Sequence, residues 1–145
     1  MLLTGRSVCN LTVIVAGLLL LAGCGGDALG RKAISGTVNL DDAPLAKGNV
    51  RFEPLQAENP TTGGAVIRKG KFQLSREHGL PPGSYRVSIS CPKMPSAVDQ
   101  NADAGGLAEE LVPARYNTES TLQATVTANG ANHFEFDLST EQPAS

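Results

Sequence analysis

The sequence predicts an all-β fold, a seven-stranded antiparallel β-sandwich, preceded by a signal peptide. Three observations predict it. From Ile34 onward, apolar residues recur with a period of two. Turn chemistry rich in Gly, Pro, Asn and Asp interrupts that period at close intervals. No stretch after residue 33 carries a sustained helical period. Short strands with one apolar face each can bury that face between two sheets.

The N-terminal segment is organised differently. Met1 to Gly23 has a short n-region whose one charge is Arg6, then an apolar run from Val8 to Leu21. Its uninterrupted part, Val13 to Ala22, is shorter than the roughly 20 apolar residues a bilayer span needs. Glycine-rich polar sequence follows at once, so no stop-transfer pattern is present. Small residues, Ala22 and Gly23, lead into Cys24. Residues 24–33 read as a tether, able to reach roughly 30 Å if extended.

The domain proper covers residues 34–138. Ile34, Gly36, Val38 and Leu40 alternate with polar residues as a first strand, which Asp41-Asp42-Ala43-Pro44 ends. Val50, Phe52 and Pro54 line a second. Glu58 to Gly64 is loop. Ala65–Arg68 and Lys71–Ser75 make a hairpin about Lys69-Gly70, with Phe72 and Leu74 inward. Leu80-Pro81-Pro82-Gly83 is a turn. Tyr85, Val87 and Ile89 then mark the clearest strand, and their phase places the Tyr85 ring in the core.

Cys91 to Asn117 is a long loop, with Pro92, Pro95, Pro113 and Gly105-Gly106; Leu107–Leu111 reads as one helical turn. Ser96 to Gly106 is polar and is expected to be the first site of limited proteolysis. Leu122, Ala124 and Val126 form the sixth strand. Phe134, Phe136 and Leu138 form the seventh, after a turn at Asn129–Asn132. Residues 139–145 are a polar tail, expected to fray.

Composition limits the function classes. The chain of 145 residues carries a net charge of −2, which becomes −3 once Arg6 leaves with the signal. A diffuse acidic balance gives no basis for nucleic-acid binding. Of the three cysteines, Cys9 lies in the signal and Cys24 at its end, leaving Cys91 without a disulfide partner.

Two resemblances add to this reading. Leu21-Ala22-Gly23-Cys24 resembles a bacterial lipobox. That implies cleavage before Cys24, lipidation of its thiol and acylation of its new amine, palmitate among the chains. One acyl chain anchors only marginally, at about 0.8 kcal/mol per buried CH₂, so several are needed for stable attachment. The location implied is the cell envelope, on the periplasmic or cell-surface side. Gly25, where an aspartate would retain the protein at the inner membrane, points to the outer one.

Ile34-Ser35-Gly36-Thr37-Val38, Asp42-Ala43-Pro44-Leu45 and Gly48-Asn49-Val50-Arg51-Phe52 resemble the opening of carboxypeptidase regulatory-like domains, which have a transthyretin-like fold. Leu80 to Val87 resembles their later proline-glycine turn and tyrosine-bearing strand. Leu111 to Asn117, with Phe134 to Leu138, is similar to small lipoproteins of planctomycete-type bacteria. Ala43 departs from the glycine usual in that family's first turn. These domains are mostly non-catalytic, and fold alone does not assign function.

The candidate chemistry is sparse. His78 and His133 lack the close spacing of an iron site. Adjacent strand residues face opposite ways, so neither Asp41-Asp42 nor Glu109-Glu110 makes a two-carboxylate site by itself; both read as solvated loop pairs, with calcium binding as the alternative. Arg68, Lys69 and Lys71 read as a solvated hairpin tip in preference to an anion site, and near a membrane such a tip could touch anionic head groups. Cys91 reads as an apolar filler. No phosphate loop, zinc spacing or Ser-His-Asp arrangement is legible, so no catalytic residue, metal or cofactor is assigned. The expected role is that of a lipid-anchored, non-catalytic envelope protein with a binding or structural function, its candidate partners being an envelope protein or glycan. The alternative is an envelope enzyme with a site in the Cys91 to Asn117 loop.

Overall fold

The computed structural model describes residues 27–56, 58, 60–93 and 108–142. The signal segment, Cys24, Gly25, the Ser96–Gly106 stretch, Leu107 and the last three residues of the tail lie outside the described residues. The described chain is all-β. Its strands are β1 (Ile34–Leu40), β2 (Ala43–Pro44), β3 (Lys47–Pro54), β4 (Gly63–Arg68), β5 (Lys71–Leu74), β6 (Gly83–Ser90), β7 (Gln123–Val126) and β8 (His133–Leu138). Seven of these fall where the period-two pattern predicts them. Among the described residues, two 3-10 turns, Arg76–His78 and Ala114–Tyr116, complete the regular structure.

The long strands join into one curled sheet in the order β8-β1-β5-β4-β3-β6-β7. All pairs are antiparallel except β1 with β8, which run parallel from Ser35↔His133 to Leu40↔Leu138. That exception follows from chain direction. β7 lies on one edge of the sheet and β8 on the other, so the Thr127–Asn132 connection is an arch rather than a hairpin. The buried Asn132 side chain holds the arch: its Oδ1 accepts from the Thr127 N–H (2.9 Å) and its Nδ2 donates to the Thr127 carbonyl (3.2 Å).

β2 was not anticipated. Asp41 (φ 51°) and Asp42 (φ 63°) both take the left-handed conformation, which Asp tolerates better than most residues. They form a two-residue turn that folds Ala43 and Pro44 back onto Leu40 and Asn39. Lys69 (φ 50°) and Gly70 (φ 72°) make the same kind of turn between β4 and β5. That hairpin is paired only at Arg68↔Lys71. Beyond it the two strands part.

The inward faces build a continuous core. Val38, Val50, Phe52, Ile67, Leu80, Tyr85, Val87 and Ile89 are wholly buried. The chain's four phenylalanines meet in it: Phe52 lies against Phe72 (6.0 Å between ring centroids) and Phe134 (6.3 Å), and Phe136 lies against Phe72 and Phe134. These rings come from β3, β5 and β8, so the cluster ties distant parts of the curled sheet together. Each such pair contributes about 0.5–1.5 kcal/mol beyond area burial. Gly36 makes room for them: a Cβ there would strike the Phe134 carbonyl and the Phe72 ring.

Two local expectations are revised. Residues 108–111 do not form a helical turn. Glu110 bridges Pro92, and the Lys93 N–H and Leu111 N–H donate to the Glu109 and Cys91 carbonyls, so the two ends of the loop zip together as extended chain. Residues 139–141 are not frayed. The Thr140 N–H and hydroxyl both donate to the Asp41 carboxylate (2.8 and 2.7 Å), and the Arg115 guanidinium donates to the Ser139 and Glu141 carbonyls.

Candidate functional site

The outer face of the sheet carries the polar side chains, and strand register arranges them in rows. One row crosses five strands: Glu135 on β8, Thr37 on β1, Lys71 on β5, Arg68 on β4 and Lys47 on β3. Neighbouring strands lie about 4.8 Å apart, so three cations in succession span roughly 10 Å. Lys69 adds a fourth cation at the turn. The next row holds His133, Ser35 and Gln73 on one side and Val66 and Asn49 on the other. Between Gln73 and Val66 the sheet is unpaired, and a groove opens there. It is lined by Ser35, Thr37, Val66, Arg68, Lys71 and Gln73, with His133 at its margin.

Two groups in this groove are already engaged. The Ser35 hydroxyl and His133 Nδ1 share a hydrogen bond of 3.0 Å. His133 Nε2 lies 3.9 Å from the Glu135 carboxylate, which is largely exposed. The pair stands on an open surface where water competes for both partners. By contrast, among the described residues no acceptor or carboxylate engages the side chains of Lys47, Arg68, Lys69 or Lys71.

Other charged side chains have structural partners. Glu53 on β3 lies between Arg86 and Arg51, and the Arg86 guanidinium holds its carboxyl below the usual range despite some desolvation. The Thr140 backbone N–H does the same for Asp41. The acidic pairs are therefore less idle than the sequence suggests. Glu109 pairs with Lys93 (3.1 Å). Glu110 accepts from the Ser90 hydroxyl (2.7 Å), the Cys91 N–H and the Val112 N–H (3.1 Å). Glu109 and Glu110 thus take separate partners, whereas of the other pair Asp41 alone is engaged among the described residues. Among the described residues no group of three or more His, Cys, Asp or Glu side chains could hold a metal ion.

The Cys91 thiol is buried; burial pushes its pKa up, and the Glu110 charge adds to the effect. Tyr85 lies in the core as its phase predicts, its hydroxyl donating to the Pro81 carbonyl at 2.8 Å. The hairpin cations Arg68, Lys69 and Lys71 are exposed at a turn, but the tip is only part of the feature. Lys47 and the groove were missed, because neither the β3 register nor the parting of β4 from β5 is written in local sequence. The one available signal was a lysine at the head of β3.

No protein-family model, curated protein or solved structure matches this chain.

Proposed function

We propose that this chain is an exported lipoprotein of the cell envelope, anchored by acyl chains on Cys24 and carrying a non-catalytic binding domain. The observation that carries the reading is the tetrad Leu21-Ala22-Gly23-Cys24 closing an apolar run too short to span a bilayer. The outer membrane is the favoured address, from Gly25 after the cysteine.

The domain is read as a transthyretin-like sandwich of the carboxypeptidase regulatory-like kind. Two features support this. The β4–β5 hairpin is paired at Arg68↔Lys71 alone, which leaves β8-β1-β5 and β4-β3-β6-β7 free to face each other. The four phenylalanines then fill the space between them. A binding role is favoured over catalysis because Glu53, Asp41, Glu110 and Tyr85 all hold the fold together, while the unengaged charges lie on the surface.

Anchoring at Cys24 would orient the domain. Only Gly25 and Gly26 separate Cys24 from Asp27, a reach of about 10 Å. The segment after it is docked: the Asp27 carboxylate accepts from the Arg31 N–H (2.9 Å), and Lys32 bridges Leu80. The Leu80 end of the domain would thus lie against the bilayer. Mass spectrometry of the detergent-extracted protein tests this. The expected mature chain begins at Cys24 and carries acyl mass. A mature chain that starts elsewhere, or carries no lipid, contradicts it.

A further inference from the structure

The row Lys71–Arg68–Lys47 works against the fold that contains it. Like charges directly opposite one another across strands are destabilising. Arg68 faces Lys71 on one side and Lys47 on the other, with Lys69 beside them. The described residues supply no carboxylate to relieve the repulsion. On the same sheet face Arg51 and Arg86 do have a carboxylate, Glu53 at 3.0 Å from Arg51. Two of the unrelieved cations, Arg68 and Lys71, line the groove. Its remaining walls offer the Thr37 hydroxyl and the Gln73 amide as further donors.

We infer that this groove and its cationic row bind an acidic polysaccharide of the envelope, laid across β5, β4 and β3. The inference rests on the reading of the chain as an envelope binding protein. A chain of repeated carboxylates or sulfates matches cations spread over roughly 10 Å better than one small anion does. A protein partner fits less well. Protein interfaces centre on buried apolar or aromatic anchors, and Val66 is the one large exposed apolar side chain in the groove.

A lipid surface fits less well too. β1 runs from Ile34, beside the docked tether, toward Val38, whose N–H donates to the Gly70 carbonyl. That run of four residues sets the hairpin tip about 13 Å from the tether end. An anchor at Cys24 would therefore turn the cations away from the bilayer. Glu135 and Asp137 on β8 close off the far side of β1, so the polyanion is confined to the β5–β3 side.

The test is binding of the purified protein to heparin and to polygalacturonate, with vesicles of anionic phospholipid as the competing arm. Binding to at least one polysaccharide is expected, weakening as salt is raised. The double variant Arg68→Gln/Lys71→Gln should bind about thirtyfold more weakly, two cations being removed. Its melting temperature should be unchanged or higher, because cross-strand repulsion is relieved, so lost binding cannot be ascribed to unfolding. Arg76→Gln, in the 3-10 turn at the tether end, should bind as the wild type does. Undiminished binding by the double variant, equal loss in Arg76→Gln, or binding to vesicles alone would each overturn the inference. Because this assay is done in solution, its failure is separate from any failure of Cys24 to be acylated.

Discussion

The Ser90 hydroxyl, at the end of β6, donates to the Glu110 carboxylate at 2.7 Å across twenty residues of sequence. The other oxygen of that carboxylate accepts from two backbone N–H groups, those of Cys91 and Val112. One side chain thus ties Val112 to the end of β6 at Ser90 and Cys91. Charge-assisted hydrogen bonds of this kind are the stronger class. Glu110→Ala should lower stability by about 1–2 kcal/mol, read as a lower urea midpoint at constant slope. An unchanged midpoint would show the carboxylate to be idle.

Tyr85 presents a second buried polar contact, its hydroxyl donating to Pro81 four residues earlier. The ring sits wholly in the core. Tyr85→Phe keeps the ring and strips the donor from a buried carbonyl. A loss of about 1–2 kcal/mol is expected in chemical denaturation. No loss would mean that water replaces the hydroxyl at Pro81.

Gly36 sits where β1 passes beneath the phenylalanine cluster. Its missing Cβ is replaced by the Phe134 carbonyl and the Phe72 ring, both well inside contact distance. Backbone cannot step aside as a side-chain tip can, so Gly36→Ala should cost about 3 kcal/mol or more. A variant that melts with the wild type would refute this packing of β1 against β8.

Cys91 gives a pH dependence. Burial and the nearby Glu110 charge raise its pKa in the folded state, so the native protein holds that proton more tightly than the unfolded chain does. The associated stability is fully present below the unfolded thiol pKa, about 8.5. It is lost as pH rises through the raised folded value. Stability should therefore fall above about pH 8.5, and Cys91→Ala should flatten that fall. Thiol modification at pH 8 should be slow in the native state and fast in urea; fast native modification would contradict the buried site.

Much of the fold was legible because period two is a local signal. Ile34 to Leu40 and Tyr85 to Ile89 each show their buried face directly in sequence. The arch between β7 and β8 was legible only as a turn. That it joins opposite sheet edges, and makes β1 and β8 parallel, depends on pairing across about a hundred residues, which no short window contains. The site was less legible for the same reason. Lys47 and Arg68 are 21 positions apart, and only register makes them neighbours. Glu110 reads as half of a solvated pair until its loop is closed around it.

The central claim is the anchor, and palmitate labelling in growing cells tests it most directly. The account predicts that the wild type incorporates labelled palmitate and stays with the membrane fraction, and that Cys24→Ser does neither. Equal labelling of the two proteins would contradict it.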